Sequence, residues 1–168
     1  MKKFSLFLLT CVILSCVSTG GDLENSEVIT NSAERNTGSG AGFSDVIGHE
    51  WKLLKVNING VNTQYSRDSL NDIFAESFIL RFDDRSISGR GAPNLMVSTP
   101  YTLGENNAIS IITIPTTLMA AIFEPEHLNE RDYFLYIQNA YAWQAGSGIL
   151  EIFSRLDDGR EIQLMFGL

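Results

Sequence analysis

Only two cysteines occur in the 168 residues, and both stand within the first sixteen positions, at Cys11 and Cys16. Any cross-link within residues 17–168 is therefore excluded, and so is a thiolate metal site there. Histidine is equally scarce, with His49 and His127 alone. Nucleophilic catalysis of the Ser/His/Asp type needs a base beside its nucleophile. One of these histidines stands at an expected strand start and the other at an expected helix start. Positive charge is short as well: 12 Lys and Arg face 20 Asp and Glu, for a net charge of −8. No basic run exists beyond Lys2-Lys3, so a nucleic-acid partner is not expected. The apolar run at residues 4–14 rises only about 16 Å as a helix, about half of a bilayer core. That is too short to span a membrane.

What is present fits an exported protein with one globular domain. Hydrophobic residues make up 44% of the chain and charged residues 19%, enough apolar surface for a core. Lys2-Lys3 followed by the apolar run reads as a secretory signal peptide over residues 1–15. The run ends in Ile13-Leu14-Ser15-Cys16, which resembles the bacterial lipobox, in which the cysteine is lipidated. Cleavage before Cys16 would remove Cys11, and lipidation would use Cys16, leaving no free thiol. Loss of Lys2 and Lys3 takes the net charge from −8 to −10. The expected address is the cell envelope, with the membrane held through the N-terminal lipid. Val17 stands where an Asp would resemble an inner-membrane retention signal, which favours the outer membrane.

Residues 16–43 read as a lipidated tether. They are rich in Ser, Gly, Thr, Asn and Glu, and Leu23, Val28 and Ile29 show no period. Such a segment buries too little surface to offset its ordering entropy. As a flexible chain of roughly 27 residues it would span on the order of 30 Å. Gly38-Ser39-Gly40-Ala41-Gly42 is no phosphate loop, because no Lys-Ser/Thr follows and no strand precedes it.

Residues 44–168 carry the folded domain. The spacing predicts strands over 49–56, 78–83, 95–103, 109–114, 140–143, 149–155 and 160–166, with turns at Asn59-Gly60, Asp83-Asp84-Arg85-Ser86, 104–107, 146–148 and Asp158-Gly159. Residues 66–76 fit a short helix or a structured loop. Thr116 or Thr117 is placed to cap a helix over 118–123, and beyond Pro125 a second helical segment, 126–138, turns Leu128, Phe134 and Ile137 inward. Leu118 and Met119 are expected in the core. The acidic residues Glu124, Glu126, Glu130 and Asp132 gather near the helix start, where the dipole favours them. His127 and Glu130 stand at i, i+3, but two ligands make no metal site. The expected fold class is α+β: a curved antiparallel sheet or partly closed β-barrel of about 7–8 short strands, with one main helix packed against it.

Several of these residues resemble the META/HslJ domain, a small envelope-associated family. They are Gly48, Trp51 and Leu53 at the opening, then Ser88-Gly89, Asn94, Tyr101, Thr117-Leu118-Met119-Ala120 and the closing hairpin. They read as turn and packing residues, with Gly89 suited to a left-handed turn and Asn94 to bridging backbone groups in its loop. Many members resemble each other in Cys-Asn and Ala-Cys motifs, where this chain has Pro93-Asn94 and Ala120-Ala121. If those cysteines pair, this chain forgoes a cross-link closing about 28 residues, worth roughly 3–4 kcal/mol. Any redox role goes with it.

The resemblance implies no enzyme, cofactor or metal. Its relatives are associated with stress response, drug tolerance and virulence, so the expectation is a non-catalytic, protein-binding or stress-tolerance domain with an envelope protein partner. The alternative is a lipocalin-like binder of a small apolar ligand. Tyr141 and Trp143 alternate with Ala140 and Ala142, which puts both aromatics on one strand face as a possible interface.

Overall fold

The structure is a computed structural model that describes residues 42–62, 65, 67, 74–120, 124 and 128–168. The expected signal peptide, Cys16 and nearly all of the tether lie outside these residues, as do His127 and most of 66–76.

The strands are β1 (Glu50–Ile58), β2 (Val61–Asn62), β3 (Ile79–Phe82), β4 (Ser86–Arg90), β5 (Leu95–Leu103), β6 (Ile109–Ile111), β7 (Ala140–Gly146), β8 (Ile149–Arg155) and β9 (Glu161–Gly167). Eight of them form one antiparallel sheet in the order β6-β5-β4-β3-β1-β9-β8-β7, and β2 hairpins onto β1. The two end strands approach each other through an antiparallel bridge between Ala108 and Ala142, so the sheet is a nearly closed barrel. One main helix, α1 (Glu130–Gln138), packs against it.

Local chemistry accounts for most of these elements. Asn59 and Gly60 both have positive φ, 52° and 76°, as a two-residue hairpin turn requires. Ser147-Gly148 does the same between β7 and β8. In β9, Ile162, Leu164 and Phe166 alternate inward. In β1 the alternation survives a bulge: Leu54 is the extra residue opposite β9, so Trp51, Leu53 and Val56 all reach the core. Leu128, Phe134 and Ile137 point inward, as their spacing predicts.

The interior is filled by side chains. Leu53, Leu80, Phe82, Ile87, Leu150, Leu164 and Phe166 are fully buried. Phe43, on a 3-10 turn before β1, packs on Phe82, Tyr101 and Trp143 with ring centroids 4.8–5.4 Å apart. Trp51 donates its Nε1–H to the Val46 carbonyl at 2.9 Å, so this polar atom is satisfied as the ring is buried.

Four expectations need correction. First, residues 117–120 are not helical, and α1 begins at Glu130 under an Asn129 cap. The Asn129 Oδ1 accepts from the N–H groups of Arg131 (2.8 Å) and Asp132 (3.4 Å). Thr117 cannot cap, because the backbone around it pairs with β5: Thr117 N–H donates to Leu95 O, and Val97 N–H to Pro115 O. Secondly, Leu118 and Met119 are not core; they are 97% and 61% exposed.

Thirdly, Gly89 lies within β4 rather than in a left-handed turn. Its missing side chain is explained by the neighbouring strand, since a Cβ there would collide with the Ile79 carbonyl oxygen. Fourthly, Tyr141 and Trp143 do not share a face. A bulge between Ala140 and Ala142 inserts Tyr141 as an extra residue opposite β8. Trp143 is turned into the core while Tyr141 stays 43% exposed.

Candidate functional site

Three of the motif residues, Asn94, Thr117 and Met119, come together in one hydrogen-bonded cluster with Glu130. The loop 91–94 between β4 and β5 closes on itself, Gly91 N–H donating to Asn94 O at 2.7 Å. That turn directs the Asn94 side chain toward residues 117–119. Its Nδ2 donates to Met119 O (3.0 Å) and to Glu130 Oε2 (2.5 Å). Its Oδ1 accepts from Thr117 Oγ1 (2.9 Å) and from Met119 N–H (2.6 Å). A side-chain amide offers two donors and two lone pairs, and here all four are used.

Asn94 therefore pairs with Met119 as a strand would, taking both its N–H and its C=O. That accounts for the absence of helix at this point: a backbone whose polar groups face an amide cannot offer them to its own next turn. Thr117 Oγ1 is also occupied, accepting from Leu95 N–H at 3.0 Å while donating to Asn94.

Glu130 completes the cluster and is only 7% exposed. Its Oε1 accepts the Asn94 backbone N–H at 2.6 Å, so one residue supplies donors to both carboxylate oxygens. The first turn of α1 adds its own favourable field. Gly91 makes room: a Cβ there would stand 2.5 Å from Glu130 Oε1 and 2.6 Å from its Cγ. Sequence reasoning missed both Gly91 and Glu130. Glu130 reads as one more acid at a helix start, and no spacing rule joins it to an Asn 36 residues earlier.

The other motif residues stand elsewhere. Trp51 and Val46 form their own contact, and Ser88 and Gly89 pair with β3. Trp143 belongs to the Phe43 cluster. Tyr141 lies under the Arg155 guanidinium at 5.2 Å and bonds Glu161 at 3.4 Å.

Beside the cluster runs an open groove of about 470 Å³, between residues 114–118 and α1. Leu118 rises beside it, its backbone neighbours held by Asn94. A second hollow of about 310 Å³ lies over β3 and β4, with Arg81, Arg90, Glu50 and Glu76 around Gly89. Glu50 there is already paired with Arg81 at 3.3 Å. Among the described residues, no three His, Cys, Asp or Glu side chains stand together as a metal site would need.

Two buried tyrosines, Tyr65 and Tyr133 of α1, are unusual. Tyr65 and Tyr133 are buried with hydroxyls that have no hydrogen-bond partner among the described residues. Burial pushes the Tyr65 phenol up to about 12 and holds Tyr133 well above its ordinary value, with Arg67 opposing in both cases. Arg67 itself is engaged with backbone carbonyls of Leu53, Ala75, Ser77 and Phe78. This group holds the 74–78 segment. No protein-family model matches this chain, and no curated protein matches it significantly.

Proposed function

We propose that this is a bacterial envelope lipoprotein, anchored through Cys16, whose META-like barrel binds another protein and so contributes to envelope stress tolerance. The observation that carries the binding reading is the Asn94 cluster. A fully satisfied polar network, including a buried carboxylate, holds a backbone segment so that Leu118 and Met119 face solvent. Folding alone would favour turning two large apolar side chains inward, at roughly 1.5–3 kcal/mol each. A rigid exposed apolar edge beside a groove suits recognition of a partner surface. The signal-like N-terminus and the tether-like composition of 16–43 support the address.

The lipocalin-like alternative draws on the same groove, whose volume lies within the range of small-molecule sites. The packed barrel interior weighs against it, because carriers of that kind hold their ligand inside. The test is proximity cross-linking in intact cells, comparing wild type with Cys16→Ser. Wild type should carry an acylated N-terminal Cys16, partition with membranes and capture one envelope protein reproducibly. The variant should lose acylation and membrane partition. An unacylated wild-type N-terminus would end the lipoprotein reading, and absence of any protein adduct would end the binding reading.

A further inference from the structure

One wall of the groove is a stripe of α1. Arg131, Phe134, Leu135 and Gln138 recur at i, i+3, i+4 and i+7, with Ile114 and Leu118 opposite. Two features of these walls run against what the fold itself needs. Leu118 is almost wholly in solvent although an apolar groove adjoins it. Arg131 stands in the first turn of α1, where the helix start disfavours a cation, and its guanidinium has no partner among the described residues. A site that breaks two local rules without internal compensation is where an external group is expected to supply it.

We propose that the groove receives a short extended segment of a partner protein, in which an acidic side chain stands two residues from an apolar one. This rests on the protein-binding reading above and names the chemistry of the partner. The apolar side chain lies between Leu118 and Leu135, and the carboxylate meets Arg131. The spacing follows from geometry: Arg131 and Leu135 are separated by about 6 Å along the helix. Side chains two apart on an extended chain are separated by about 6.6–6.8 Å on one face. The planar guanidinium suits a carboxylate in two-point contact.

The test uses the full-length chain in its host cells, with p-benzoylphenylalanine replacing Leu118 as a photo-cross-linking probe. The same probe at Val61, exposed on β2, serves as the control. The adduct is read by mass spectrometry of the joined peptides. We expect one protein captured from position 118 and not from 61, through a peptide with Asp or Glu two residues from an apolar side chain. Arg131→Glu should lower the yield about tenfold without lowering the melting temperature, and Arg131→Lys, which keeps the charge but loses the two-point contact, should fall between it and wild type. A phospholipid or small-molecule adduct at 118, a captured peptide without the acid, or a yield indifferent to Arg131→Glu overturns the proposal. Capture from 61 alone removes the groove but leaves protein binding intact. Capture from neither position counts against the protein-binding reading itself.

Discussion

Asn94 donates to both oxygens of the Glu130 carboxylate, once from its backbone and once from its side chain. The two residues tie the β4–β5 loop to the start of α1, and the remaining three bonds of the same amide hold residues 117–119. Several consequences can be measured.

Asn94→Ala should destabilise the domain by about 3–5 kcal/mol, because it leaves a buried carboxylate with one donor and frees both polar groups of Met119. Asn94→Asp should cost at least as much at neutral pH, since it places a second carboxylate against Glu130. Urea unfolding at neutral pH measures both. A deficit for Asn94→Ala below about 1 kcal/mol would show that the cluster contributes little.

The two glycines near this region are predicted to fail for different reasons. Gly89→Ala sets a Cβ against a strand carbonyl that cannot move away, and a loss of about 3 kcal/mol or more is expected. Gly91→Ala meets only the Glu130 side chain, which can shift by giving up its bonds to Asn94. Its cost should be about 1–3 kcal/mol, and its effect should nearly vanish in an Asn94→Ala background. A double-mutant cycle checks this; additive losses would place Gly91 outside the cluster.

Trp143→Ala is expected to cost about 3–5 kcal/mol, because the ring is buried against Phe43. Tyr141→Ala should stay within about 1 kcal/mol, with only an exposed cation–π contact and one long hydrogen bond lost. Equal losses in thermal melts would contradict the bulge that separates their faces.

Alkaline pH should unfold the domain through Tyr65 and Tyr133. The folded-state values are raised above the ordinary 10.0, to about 12 for Tyr65. The unfolded chain therefore loses these protons first. Their contribution is complete below about pH 10 and declines as pH rises through the folded value. Tyr133→Phe and Tyr65→Phe should flatten that decline, and neither should destabilise at pH 7, since each hydroxyl is buried without a partner among the described residues. A loss above about 1 kcal/mol for either variant at pH 7 would mean that its hydroxyl has a partner after all.

Reductants and chelators should leave the melting temperature of residues 17–168 unchanged within about 1 °C. No cysteine follows Cys16, so there is no disulfide to break. A lost cross-link or structural metal would cost kilocalories and a shift of several degrees.

Period-two patterning and turn chemistry made most strands legible from sequence alone. β5 and β8 match their expected bounds, and Asn59-Gly60 and Ser147-Gly148 adopt positive φ because their turns require it. These are local properties, set by which backbone conformations a residue tolerates and which of its faces is apolar. What tertiary structure decided is what local preference left open or pointed to wrongly. Residues 117–120 have helix-forming sequence, yet Asn94 and β5 take the hydrogen bonds a helix would need. Tyr141 and Trp143 share a face in an ideal strand, yet the register of β8 requires a bulge between Ala140 and Ala142. Gly89 has no positive φ to explain it, and only the approach of β3 does. The pairing of Asn94 with Glu130 joins positions 36 residues apart, and such a contact leaves no period in the sequence, because it depends on where the barrel brings a loop and a helix start together.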